Sequence, residues 1–74
     1  MEENKLYSKL LIAMLNGKSF RITNKCRESI KEQSGYLYDS WFRIIALRPN
    51  NTLDLCGNFH MILENYSFDD IVIN

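Results

Sequence analysis

Apolar residues in the first part of the chain fall on a helical period. Between Glu3 and Asn16, the residues Tyr7, Leu10, Leu11, Met14 and Leu15 recur at three- and four-residue steps, with Lys5, Ser8 and Lys9 to the other side. Asn16-Gly17 ends the pattern. Gly supplies the left-handed backbone that closes a helix, so the spacing predicts a helix over 3–16. The period then changes to two: Phe20 and Ile22 alternate with Ser19, Arg21 and Thr23, which reads as a half-buried strand over 18–23 whose outer face is basic and hydroxyl-bearing. In 24–34, NKCRESIKEQS, only Cys26 and Ile30 are apolar, four residues apart. This segment is expected to be a short surface helix with Asn24 as N-cap, or an ordered loop, stopped by Gly35.

Residues 36–48 read as one long strand, apolar on both faces. Tyr36, Tyr38, Phe42, Ile44 and Ala46 fall to one side, and Leu37, Trp41, Ile45 and Leu47 to the other. Such a strand needs cover on both faces. The first helix covers one, and the chain has little left for the second. Pro49-Asn50-Asn51 is a three-residue turn, since Pro presets φ and Asn tolerates the left-handed position. Beyond it, 52–56 alternates Leu53 and Leu55 inward with Thr52 and Asp54 outward, and Gly57-Asn58 turns the chain into a strand over 59–63. Residues 64–70, ENYSFDD, read as turn-formers, with a short last strand over 71–73. The expected architecture is a single α+β domain over 1–74. An N-terminal helix packs on a small, mainly antiparallel sheet, with a short second helix or loop between strands 1 and 2.

Size and charge narrow the function classes. A core drawn from 74 residues is near the lower limit for independent stability, so self-association is expected. The two cysteines and an acidic, charge-interrupted N-terminus predict free thiols in a reducing cytoplasm, and no apolar run approaches the roughly 20 residues of a membrane span. The net charge of zero argues against a dedicated binder of long nucleic acid. It hides an asymmetry. Residues 1–48 hold all 9 Lys and Arg against five acids, and 49–74 hold four acids and no Lys or Arg, so the halves carry +4 and −4.

Candidate chemistry is sparse. Cys56, His60 and the distant Cys26 make at most three metal ligands with no close pair, so no metal and no other cofactor is expected. The single His lacks a nucleophile and an orienting group, and three scattered glycines build no phosphate loop, so catalysis is not expected either. Two groups remain. One is basic and hydroxyl-rich: Lys18, Ser19, Arg21, Thr23, Asn24, Lys25 and Arg27, suited to the phosphates of a small ligand or to an acidic protein face. The other is aromatic: Tyr36, Tyr38, Trp41 and Phe42 beside Arg43, suited to stacking a base or anchoring an interface.

The order LLIAMLNGKSFRI, aromatic strand, Asn-containing turn, hairpin and closing FDDIVI resembles a broad group of very short phage proteins that includes the Thoeris anti-defence sponges. Leu11, Leu15, Gly17, Lys18 and Arg21 match the helix–strand junction of that group, and Asp69, Asp70 and Ile73 its closing strand. The resemblance implies a non-catalytic counter-defence protein of the host-cell cytoplasm. It would act stoichiometrically as a homo-oligomer that sequesters a small cyclic nucleotide signal, with Lys18, Arg21, Thr23, Lys25 and Arg27 on phosphates and Tyr36, Tyr38 or Trp41 on a base. The alternative it leaves open is inhibition of a host defence enzyme such as a CRISPR nuclease through Tyr38, Trp41, Asp54, Glu64, Asp69 and Asp70. A small structural or regulatory phage protein is the third. NKCRESIKEQS stands where the sponges carry Trp and Gly-rich turns, and Ile71 where they carry an aromatic.

Overall fold

The structure, a computed structural model, describes residues 2–73. Its elements run α1 (Glu2–Leu15), β1 (Ser19–Ile22), α2 (Asn24–Ser34), β2 (Phe42–Arg48), β3 (Thr52–Gly57), β4 (Ile62–Ser67), a 3-10 turn (Phe68–Asp70) and β5 (Ile71–Val72). The five strands form one antiparallel sheet in the order β4-β3-β2-β1-β5, which makes this an α+β fold. The closing strand does not extend the meander. It crosses to the far side of β1, pairing Ile71 with Ile22 and Val72 with Arg21.

Both helices end as their glycines dictate. Gly17 sits at φ 68°, its N–H reaching the Met14 carbonyl while the Lys18 N–H reaches Ala13, and this pair of bonds satisfies the last carbonyls of α1. Gly35, at φ 82°, closes α2 through the Lys31 carbonyl. The segment expected as helix or loop is thus a helix, but its N-cap is Thr23 and not Asn24. The Thr23 N–H bonds to the Asp70 carbonyl at 2.8 Å, which holds the residue extended beside β5 and turns its hydroxyl onto the Cys26 N–H.

One core lies under one face of the sheet. Leu10 and Ala13 of α1 and Cys26 and Ile30 of α2 pack with Phe20, Ile22, Phe42, Ile44, Leu53, Leu55, Leu63, Phe68 and Ile71. Leu15, read as part of the apolar stripe of α1, is instead 75 % exposed. It belongs to the last turn of α1, just before the chain turns off at Gly17.

Three strand readings change, each for a local reason. The segment 36–41 pairs with no strand, because side chains hold it. Asp39 Oδ2 accepts the Phe59 N–H at 2.7 Å and the Met61 N–H at 3.3 Å, and Asn58 Oδ1 accepts those of Ser40 and Trp41. Gly57 is the last residue of β3 and not a turn residue; a Cβ there would collide with the Asp39 side chain, lying 2.6 Å from its Cγ. Residues 64–67, read as turn-formers, continue β4 through a bulge. Asn65 takes φ 61° and gives its N–H to Asp54, so that two residues of β4 pass one of β3.

Candidate binding face of the sheet

The register sorts the side chains of the sheet into two faces. Phe42 pairs with Phe20 and Gly57, and Ile44 with Leu55, all on the helix-covered side. The alternate residues form rows on the other side: Ile62, Cys56, Arg43 and Ser19 in one, Arg21 and Val72 in the next. Trp41 immediately precedes β2, and continuing the β1–β2 register sets it opposite Arg21. The Arg21 guanidinium lies over the indole, 5.0 Å from its centroid.

Among the described residues no helix covers this second face. Trp41 is 45 % exposed, Ile45 48 % and Ile62 52 %, beside the exposed Arg21 and Arg43. The sheet therefore carries apolar side chains on both sides, as expected for Phe42 and Ile44 against Trp41 and Ile45, with helices on only one; Ala46 and Leu47 exchange faces across the bulge at Ile45. Where β1 and β2 meet, Lys18, Ser19, Phe20, Arg21, Trp41 and Val72 line a hollow of about 340 Å³. The Lys18 ammonium stands 5.5 Å from the Phe20 ring centroid.

Of the residues expected to hold phosphate and base, the hollow gathers Lys18, Arg21 and Trp41. The others are placed differently. Thr23 is half-buried with its hydroxyl occupied as the α2 cap, and Arg27 donates to the Asp39 carbonyl at 3.2 Å. Lys25 is exposed on the first turn of α2. Tyr36 and Tyr38 are exposed and lean on each other with ring centroids 4.9 Å apart. Phe20, expected only as an inward strand residue, also lines the wall, and Val72 is the wall residue from a distant element that the expected set lacked. Its pairing with Arg21 joins positions 51 apart in the chain, and no local pattern announces it.

Two of the four acids expected to face a protein partner are engaged within the fold. Asp54, read as outward-facing, is buried, takes both ends of the Arg48 guanidinium at 2.7 and 2.8 Å, and receives the Asn65 N–H. The Arg48 bonds, with the Asn65 amide second, hold its carboxyl below the usual carboxylate range. Asp70 closes a capping box with Ser67 around the 3-10 turn. Glu64 and Asp69 remain exposed.

Cys26 and Cys56 are free, buried thiols. Burial, with the nearby charge of Asp70, pushes the Cys26 thiol up to about 11. Among the described residues no group of three or more His, Cys, Asp or Glu side chains comes together, and no helix is long and apolar enough to cross a membrane. Compared with protein-family models, with curated proteins and with solved structures, the chain finds no match in any of the three. Chemically, the face offers two fixed cations beside a half-exposed indole. That combination holds an anion and a flat ring together.

Proposed function

We propose that this protein acts by stoichiometric, non-catalytic binding, as a homo-oligomeric counter-defence sponge that takes a small phosphorylated nucleotide at the Lys18–Arg21–Trp41 hollow. The observation that carries the reading is the Arg21–Trp41 pair on an otherwise uncovered sheet face. Lys18 and Arg21 supply charge-assisted donors to phosphate, and the indole supplies the surface for a base. Oligomerisation follows from the same face. A 74-residue chain that leaves Ile45 and Ile62 in water gains by burying them against another subunit, with Trp41 left to the ligand.

The test is Arg21→Glu. Its side chain is exposed on β1, so the fold should persist while one charge-assisted bond is replaced by repulsion. Losing that bond costs about 1.5–3 kcal/mol, or roughly ten- to a hundredfold in affinity for a cyclic nucleotide followed by calorimetry. A variant that keeps full affinity and full counter-defence activity in cells refutes the sponge.

A second reading is favoured by the same exposed Trp41, Ile45 and Ile62: a protein inhibitor that docks this face on a host defence enzyme. Under that reading Arg21→Glu costs little, Trp41→Ala abolishes inhibition, and the protein copurifies with its target.

A further inference from the structure

Four exposed aromatic residues gather at one end of the sheet, and the hollow uses only one of them. At this end β2 begins, β3 ends, β4 begins and β1 ends. Trp41 leads into β2, and Phe59, 67 % exposed, sits in the β3–β4 connection. The two segments are joined by the Asn58 N–H on the Trp41 carbonyl and by the Phe59 N–H on Asp39. Tyr36 and Tyr38 precede them in the same tethered segment. The first turn of α2 brings Lys25 and Arg27 to this end, and Arg27 reaches across to the Asp39 carbonyl.

From this arrangement we infer that the ligand is a short single-stranded oligonucleotide, with successive bases stacked on Trp41, Phe59 and the Tyr36–Tyr38 pair. The inference rests on the nucleotide reading above and extends its site along the aromatic end. One base can occupy one ring surface. A mononucleotide in the hollow leaves Phe59 and both tyrosines in water, whereas a strand uses them in turn. Single strands are recognised on open sheet faces by stacked aromatics with Arg and Lys along the backbone, and a sheet with both helices on its other side leaves such a face free. The charges agree with this. Arg21 and Arg43 stand with Trp41 on the open face, Lys18 lines the hollow from the Phe20 side, and Asp39, the acid inside the aromatic segment, is buried with its carboxylate turned onto the Phe59 and Met61 amides. β5 also begins at this end, after the exposed Asp69, so the strand is placed on the β2–β3 side of the hollow. The zero net charge argues only against long nucleic acid, since a few nucleotides need only a few cations.

Trp41 is the single tryptophan, so its emission reports binding directly. Titration at low salt with thymidine monophosphate and with oligothymidylates of two, four and eight nucleotides should show affinity rising about tenfold for each further stacked base, then levelling. The salt slope for the tetranucleotide should be about −2, corresponding to roughly three phosphates, and Arg21→Gln should reduce it by about 0.7. Phe59→Ala and Tyr38→Ala change exposed side chains, and each should lower tetranucleotide affinity about tenfold. Ile12→Ser, on the exposed side of α1, should change nothing.

If the monophosphate binds as tightly as the tetranucleotide, the oligonucleotide is refuted and the nucleotide reading stands. If neither quenches Trp41, both fall. If Trp41 emission follows protein concentration alone, with a dimer in sedimentation that Trp41→Ala dissolves, the face is a protein interface and the inference is overturned.

Discussion

Replacing Asp39 by Ala tests whether side-chain tethers hold the aromatic segment in place. Asp39 is 3 % exposed, and its Oδ2 accepts two backbone N–H groups, from Phe59 at 2.7 Å and Met61 at 3.3 Å. A hydrogen bond to a charged acceptor contributes about 1.5–3 kcal/mol, and the longer bond is weaker, about 0.5–1 kcal/mol. Alanine leaves both amides without a partner and opens space beside Gly57, so the expected loss is about 2–4 kcal/mol. For a domain of this size each kcal/mol shifts the midpoint by about 4–8 °C, and the melting temperature should fall by about 8–32 °C. Asn keeps an acceptor oxygen without the charge, so Asp39→Asn should fall between wild type and Asp39→Ala. Differential scanning calorimetry reads the midpoints, and Trp41 emission reads the segment itself. It should shift to the red in Asp39→Ala below the transition, as the segment loosens. A variant that melts within a degree or two of wild type with unchanged emission would refute the tether.

Gly57→Ala should destabilise by about 1–3 kcal/mol in urea unfolding, because the new Cβ meets the Asp39 side chain at 2.6–2.7 Å from its Cγ and Cβ. The Arg48–Asp54 pair sets the acid side of the stability profile. The Asp54 carboxyl is depressed in the folded chain, so its contribution is present above the ordinary carboxylate range near 3.9 and is lost as pH falls through the lower folded value. Asp54→Asn should therefore be less stable at neutral pH and converge with wild type in acid, as read by urea midpoints against pH. Cys26 acts at the other end. Its thiol is raised to about 11, so the neutral form is favoured by folding and stability should decline as pH rises from the ordinary thiol range near 8.5 toward 11. Burial raises the Tyr66 phenol in the same direction. Cys26→Ala should flatten the lower part of that decline, and native Cys26 should resist thiol reagents until the chain unfolds.

The fold was legible wherever a pattern is local. Gly17 and Gly35 mark helix ends through a property of one residue, and Phe20 and Ile22 mark a strand through a period of two. The misreadings fall where a distant group overrides local preference. Alternation carried on through 36–41 because nothing in those six residues says that Asp39 and Asn58 would hold them. The partners of these tethers lie about twenty positions away. Asp54 followed the outward phase of β3, yet bulges on both flanking strands close over it with Arg48 and Asn65. Residues 64–67 carry turn-forming side chains, and one of them, Asn65, takes left-handed backbone as such residues do. It does so inside a strand, where the bulge requires it.

The site divides along the same line. That Arg21 faces outward is a matter of phase within β1, and that 36–48 has more apolar surface than one helix can cover is a matter of counting. Both were available from the chain itself. That Arg21 lies against Trp41 depends on the β1–β2 register, and the approach of Val72 depends on β5 crossing to the outer side of β1. The same topology explains why Thr23, Lys25 and Arg27 do not join Lys18 and Arg21 in the hollow. Thr23 ends β1 as the cap of α2, and α2 packs its Cys26 and Ile30 under the covered face, carrying its cations to the end of the sheet and away from its open side. A basic run continuous in sequence is thereby split into two groups, one on the open face with Trp41 and one beside Tyr36 and Tyr38. A ligand that engages both must pass the end of the sheet where Trp41 and Phe59 stand. This path suits an extended chain of bases better than a single compact nucleotide.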